Sequence, residues 1–216
     1  MTISHLAKTL AFVSILAVCC AAAAAENGWG SLFDGKSLDG WQQHNGKAKY
    51  EVKDGTILGT SVPNSPNSFL CTKKDYGDFE LQFEVMVDAE LNSGVQIRSH
   101  SKKDYQNGRV HGYQVEIAVS GFSGGIYDEA RRGKFLNPEG QQEKARGLLK
   151  KDAWNSYRVV CRGDHIQTWV NGVQVTDLKD DMTASGFIGL QVHGVGNRTD
   201  PLRAQWRNIR LRELKP

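Results

Sequence analysis

The chain has 216 residues, with 27 Lys or Arg against 24 Asp or Glu and a formal net charge of +3. That near-neutral balance, with no run of like charges, excludes the electrostatic footprint of a nucleic-acid or acidic-membrane binder. About 190 residues remain once a leader is set aside, enough for one domain with a sizeable core.

The leader is residues 1–25. Lys8 supplies a positive start, Leu10 to Cys20 is apolar apart from Ser14, and Ala21 to Ala25 offers an Ala-x-Ala cleavage site before Glu26. This is the pattern of a secretory signal peptide. The apolar run is short for a bilayer core of ~30 Å, and no second one follows, so no membrane span is predicted. Cleavage near Ala25 makes the protein secreted or periplasmic. A lipoprotein anchor at Cys19 or Cys20 is the lesser alternative, because Val18 is bulky for that position.

Beyond the leader the chain alternates with period two. Asp54-Gly55 is a hairpin-turn dipeptide ahead of a strand from Thr56 to Thr60. Phe79 to Asp88 places Phe79, Leu81, Phe83, Val85 and Val87 on one face. Gly94 to Arg98 sets Val95 and Ile97 against Gln96 and Arg98, and Tyr113 to Ile117 sets Tyr113, Val115 and Ile117 against Gln114 and Glu116. Residues 139–152 are polar, broken by Gly140 and Gly147, and read as a loop with a helical turn. Gly163-Asp164-His165 reads as a hairpin turn, and Asn171-Gly172 is a strong one. Between them Ile166, Thr168 and Val170 oppose Gln167, Trp169 and Asn171. Gly186 to His193 sets Ile188, Leu190 and Val192 against Gln191 and His193, and Ala204 to Arg212 is the last strand. Many short strands with no long amphipathic helix predict an all-β fold, a β-sandwich of two antiparallel sheets, as a single domain over 29–214.

Cys71 and Cys161 remain after the leader. They are either a disulfide, which an extracytoplasmic location permits, or two buried free thiols. The Cys/His spacings match no zinc site.

If the apolar face of each strand packs inward, the other collects Gln96, Arg98, Gln114, Glu116, Gln167, Trp169, Gln191 and His193. Lysine is absent from these positions, although it is common on plain solvated faces. Amides both donate and accept hydrogen bonds, and an indole offers an apolar plate to a sugar ring. The expectation is a carbohydrate-binding face.

Its centre is the strand ending at Ile117 and the glycine-rich stretch after it, which carries Tyr127, Asp128, Glu129, Arg131 and Arg132. Charged loops at strand ends are where β scaffolds keep their chemistry. Glu116 is the carboxylate best placed for acid/base work. Burial would raise its pKa, and a nearby Arg98 or Arg131 would lower it. His193, ending a strand, suits proton transfer near neutral pH; His111 precedes the Glu116 strand. Asn92, Gln96 and Arg98 converge through Asn92-Ser-Gly-Val-Gln-Ile-Arg98, where Gly94 allows close approach. A retaining glycosidase needs two carboxylates ~5–5.5 Å apart, but Ala118 stands two residues after Glu116, so one strand does not supply the pair. No phosphate loop, dinucleotide fingerprint or serine nucleophile elbow is present.

These residues sit within an ordered set of motifs. The set runs through Leu32-Phe-Asp-Gly-Lys-Ser-Leu-Asp-Gly-Trp41, Tyr76-Gly-Asp-Phe-Glu-Leu81, Asn92 to Arg98 and Gly112-Tyr-Gln-Val-Glu-Ile117. It continues through Gly124 to Gly133, Trp154-Asn-Ser-Tyr157, Trp169-Val-Asn-Gly172, Gly189-Leu-Gln-Val-His193 and Trp206-Arg-Asn-Ile209. In this the chain resembles the 3-keto-disaccharide hydrolase domain family from Leu32 to Leu214. The resemblance implies a concanavalin A-like or LamG-like jelly roll, an extracytoplasmic location, and action on 3-keto-glycosides. It points to the Glu116, His193 and Arg98 positions and to the Tyr127 loop. One departure is Ala118, where the family pattern usually has an aspartate.

A ketone at C3 acidifies the C2 proton, so a base could remove it, the C1 substituent could leave, and water could add back. In this reading Glu116 and His193 share the roles of base and acid, Arg98 and Tyr127 stabilise the oxyanion, and Trp169 is the sugar platform. A divalent metal could replace the arginine, although no dedicated ligand set stands out. A non-catalytic, lectin-like carbohydrate-binding module on the same fold is the alternative, and a protein-adhesion domain, which would expose an apolar patch, is the third.

Overall fold

The computed structural model describes residues 28–119 and 121–215; the expected leader and its cleavage site lie outside them. No helix among the described residues is long and apolar enough to cross a membrane. The strands in chain order are β1 (Gly30–Ser31), β2 (Trp41–His44), β3 (Lys49–Lys53), β4 (Thr56–Thr60), β5 (Ser68–Thr72), β6 (Phe79–Val87) and β7 (Ser93–His100). After them come β8 (His111–Ile117), β9 (Ile126–Glu129), β10 (Asn155–Arg162), β11 (His165–Val170), β12 (Val173–Lys179), β13 (Phe187–Val192) and β14 (Arg203–Glu213). One short helix, α1 (Gln141–Ala145), fills the polar stretch read as a helical turn.

Two antiparallel sheets form a sandwich, as the alternation predicts. The first has the order β12-β11-β10-β6-β14-β4-β3, with β1 also on β14, and the second has the order β2-β5-β13-β7-β8-β9. Their inward faces make one core, to which Phe79, Leu81, Phe83, Val85, Val95, Ile97, Val115, Leu190 and Trp206 contribute. Full burial of an aliphatic or aromatic side chain contributes roughly 1.5–3 kcal/mol, so the period-two pattern fixes which face of each strand turns inward. At Asn171-Gly172, with φ of 49° and 83°, both residues are in the left-handed region that a two-residue hairpin of this hand requires.

Alternation does not say which sheet a strand joins. β7, β8 and β13 lie together in the second sheet, but β11 belongs to the first. Gln167 and Trp169 therefore face outward on the opposite side of the sandwich from Glu116, and the expected single polar face is two faces. Cys71 in β5 and Cys161 in β10 are both buried, and among the described residues neither is in a disulfide.

Candidate active site on the second sheet

Across β5, β13, β7, β8 and β9 the outward positions run Phe69, Gln191, Gly94, then Glu116, Gln114 and Tyr127. Although they point away from the core, Gln96, Gln114 and Gln191 are almost wholly buried, because the surrounding loops wall the sheet in. A cavity of about 300 Å³ stands over this floor, lined among others by Glu116, Tyr127, Glu129, Gln191 and His193. Gly94 is part of what opens it. A Cβ there would come within 2.5 Å of the Gln114 side chain, which lies across it.

Glu116, 6% exposed, is held by neutral amides. Gln114 Nε2 donates to its Oε2 at 3.1 Å, and Asn92 Nδ2 donates to its Oε1. The amides form a one-way relay: Ser99 Oγ donates to Gln96 Oε1 (2.7 Å), and Gln96 Nε2 donates to Gln114 Oε1 (2.9 Å). Every donor in it is aimed toward Glu116, fixing the carboxylate without giving it a counter-charge. Burial accordingly pushes the Glu116 carboxyl above its usual range, outweighing the Asn92 and Gln114 hydrogen bonds and the pull of His193, with Glu129 adding to the rise. Burial also raises the Glu129 carboxyl, against Arg109 and His193. Arg109 stands 3.8 Å from Glu129. Tyr127 is raised by burial and by both glutamates. Glu116 and Glu129 thus line one cavity from two adjacent strands, β8 and β9.

Gln191 is unusual. Its Oε1 and Nε2 are both buried, and among the described residues neither has a hydrogen-bond partner. A buried amide left unpaired costs about 1–3 kcal/mol, so this side chain is set up for a polar ligand. A second cavity of about 660 Å³ opens beside the first, over Asn45, Gly46, Pro66, Phe69 and Gln106. The two share Asn67, Arg109, Glu129 and His193. Among the described residues no group of three or more His, Cys, Asp or Glu stands where it could hold a metal ion.

Of the residues singled out from sequence, Asn92, Gln114, Glu116, Tyr127, Glu129, Gln191 and His193 meet at this cavity, with Gln96 bonded beneath it. Arg98 does not. The β7–β8 register breaks between Ile97 and His100, and Arg98 takes a φ of 46°. Its buried guanidinium donates to Gly77 O, Gly163 O and Asp78 Oδ1 at 2.7–2.9 Å. It ties the second sheet to the first. Asp128 is fully buried, accepting from Arg131 Nε at 2.6 Å and from Arg132, which also bridges to Asp180. Asp128, Arg131 and Arg132 thus brace the turn after β9 and leave only Tyr127 and Glu129 of that stretch at the cavity. His111 packs its ring 3.9 Å from that of Tyr105, with Nδ1 2.8 Å from Arg109 O, anchoring the loop before β8. Trp169 stacks under Arg158 on the other sheet.

Sequence reasoning passed over Asn67, Arg109 and Phe135. Phe135 bridges Tyr127 across a turn, with ring centroids 5.3 Å apart. Arg109 carried one signal, its place in the loop leading into the Glu116 strand. Ala118 caps the end of β8, bonded through both backbone groups to Ser123 Oγ. A Cβ on Gly121 would lie 2.8 Å from the Ala118 methyl and 3.8 Å from Glu116 Oε1, so position 118 adjoins the site and here leaves Glu116 without a second carboxylate at that end.

Residues 28–212 match the family described as the 3-keto-alpha-glucoside-1,2-lyase-like domain. No curated protein matches the chain. Several solved structures share the fold. One is a protein provisionally assigned as a glycosyl hydrolase from Parabacteroides distasonis, at 18% identity and TM-score 0.64, covering 88% of this chain and 95% of that one. The carbohydrate-binding module CBM66 from Bacillus subtilis is similar at 13% identity and TM-score 0.61, with 81% and 96% covered. A Bacillus subtilis protein of unknown function with a galectin-like fold gives 10% identity and TM-score 0.62, with 86% and 94% covered.

Proposed function

The chain belongs to the family of 3-keto-alpha-glucoside-1,2-lyase-like domains, carbohydrate-active proteins, and from that premise we propose that it cleaves the glycosidic bond of 3-keto-glycosides by elimination followed by hydration, outside the cytoplasm. The observation that carries the reading is Glu116, a buried carboxylate held by amides alone and facing one cavity with Glu129 and His193.

A general base works best with a pKa near the operating pH, and burial moves Glu116 that way. With the keto-sugar in the inner cavity, Glu116 takes the C2 proton. The C–H electron pair passes into the C2–C3 bond, and charge develops on the C3 oxygen. Arg109 and the Tyr127 hydroxyl, both lining that cavity, donate to that oxygen in place of Arg98, which the fold uses elsewhere. The enolate then reforms the ketone as the C1–O bond breaks, leaving a C1–C2 double bond, and the departing oxygen takes a proton. Glu129 and His193 line both cavities, so the scissile bond lies at their junction and they are the groups to supply that proton. Water adds across the double bond, returning hydrogen to C2 and hydroxyl to C1. Gln191 positions sugar hydroxyls.

A second reading, a carbohydrate-binding module without turnover, has support in the unpaired Gln191 amide, since a row of neutral amides also suits binding alone. The test is incubation of a 3-keto-disaccharide with wild type, Glu116→Gln, Glu129→Gln and His193→Ala. Cleavage by wild type that collapses in Glu116→Gln supports the enzyme; binding without cleavage by wild type supports the module.

A further inference from the structure

We infer that the outer face of the first sheet is a separate binding surface for an acidic polysaccharide. One row of outward residues crosses four strands in direct register: Trp169 on β11 faces Arg158 on β10, Arg158 faces Gln82 on β6, and Gln82 faces Arg210 on β14. An indole closes each end. Arg158 lies 4.2 Å from the Trp169 ring centroid, and Arg210 and Arg212 lie 4.9 and 5.1 Å from that of Trp29. Three strand spacings of ~4.8 Å make the row ~14 Å long between β11 and β14. Two open grooves run along it, of about 520 Å³ at the Trp29 end and about 430 Å³ at the Trp169 end. They share Gln82, Ser156 and Tyr157 and so form one trough.

The charge of the trough selects the ligand. Glu80 takes Arg158 and Arg212, and Glu84 takes Arg207. Arg210 donates only to the side-chain Oε1 of Gln82, at 2.6 and 3.1 Å, and packs on the Trp29 ring; among the described residues it forms no ion pair. Four arginines against two glutamates leave surplus positive charge on the row. A guanidinium fork matches a uronate carboxylate or a sulfate ester bidentately, and the half-buried indoles offer apolar surface to the sugar rings between. The buried Glu80 accounts for Arg158 and Arg212 as structural partners, but it accounts neither for Arg210 nor for the indole at each end of the row. The trough lies on the opposite face of the sandwich from Glu116, so it stands or falls separately from the catalytic reading.

The test is native-gel retardation with polygalacturonate, dextran or DNA in the matrix, for wild type, Arg210→Gln, Trp169→Ala and Glu116→Gln. Wild type and Glu116→Gln should be retarded by polygalacturonate and not by dextran, with retardation falling several-fold in Arg210→Gln and Trp169→Ala and on raising the salt. Thermal midpoints check that the variants are folded. The inference is overturned by no retardation of wild type, by equal retardation in dextran, by stronger retardation in DNA, or by folded Arg210→Gln and Trp169→Ala that migrate as wild type does.

Discussion

Glu80 on the first sheet and Glu116 on the second are both buried on outward faces, at 4% and 6% exposure, and their carboxyls move in opposite directions. Burial pushes both up. At Glu80 the guanidiniums of Arg158 and Arg212 outweigh it and bring the carboxyl below its usual range. At Glu116 the partners are uncharged amides, burial prevails, and the carboxyl rises. The same residue type at similar burial is a strut on one face and, in the proposed reaction, the base on the other, and the charge of its neighbours sets the difference. The second sheet keeps its polar floor neutral and leaves Gln191 unpaired, so its hydrogen-bonding capacity is open to a ligand. The first sheet spends that capacity on its own side chains, apart from the surplus arginine.

Breaking the comparison at the two glutamates should have the largest effect. Glu116→Gln should lower kcat/KM for a 3-keto-disaccharide by roughly 10²–10⁴-fold with the thermal midpoint nearly kept, whereas Glu80→Gln should lower the midpoint and leave turnover within a few-fold. Arg98→Met removes a buried guanidinium from partly exposed Asp78 and from two backbone carbonyls and should cost about 1–3 kcal/mol in denaturant unfolding; an oxyanion role would instead show as lost turnover in a stable protein. Gln191→Leu should raise KM about tenfold while stabilising the fold by about 1 kcal/mol, because an unpaired buried amide is replaced by an apolar group. The smallest effect is in the pH dependence of stability. The folded chain holds a proton on Glu116 above the ordinary value of 4.5, so that contribution is present at low pH and fades as pH rises through the window above 4.5. Glu80 contributes above 4.5 and loses its share as pH falls through its depressed value. Unfolding free energy measured against pH should therefore lose part of its decline above 4.5 in Glu116→Gln, the rest belonging to Glu129, and part of its acid sensitivity in Glu80→Gln.

Much of this was legible in the sequence. Each strand's inward face follows from period two, because a one-residue slip would expose the whole apolar set, and the Asn171-Gly172 hairpin follows from its left-handed turn. Glu116, Gln114 and Gln191 were readable as outward polar residues among apolar ones. What was not legible is long-range. β11 and β8 have the same alternation, but only the pairing of β11 with β10 and of β8 with β7 separates Trp169 from Glu116. Arg98 reads as outward by counting, and the register break at Ile97 turns it inward. Arg109 and Asn67 reach the cavity from loops that carry no periodicity. The braced turn after β9 illustrates the converse: five polar and charged residues there looked equivalent, and burial sends Asp128 to the arginines and Glu129 to the cavity.

The most direct measurement of the central claim is the fate of the C2 hydrogen. A 3-keto-disaccharide deuterated at C2 would be cleaved by wild type and by Glu116→Gln in ordinary water, and the released 3-keto sugar analysed by mass and NMR spectroscopy. If Glu116 is the base in an elimination and hydration, wild-type product carries hydrogen at C2 and Glu116→Gln gives almost no product. Cleavage with the deuterium retained at C2, or undiminished cleavage by Glu116→Gln, would contradict it.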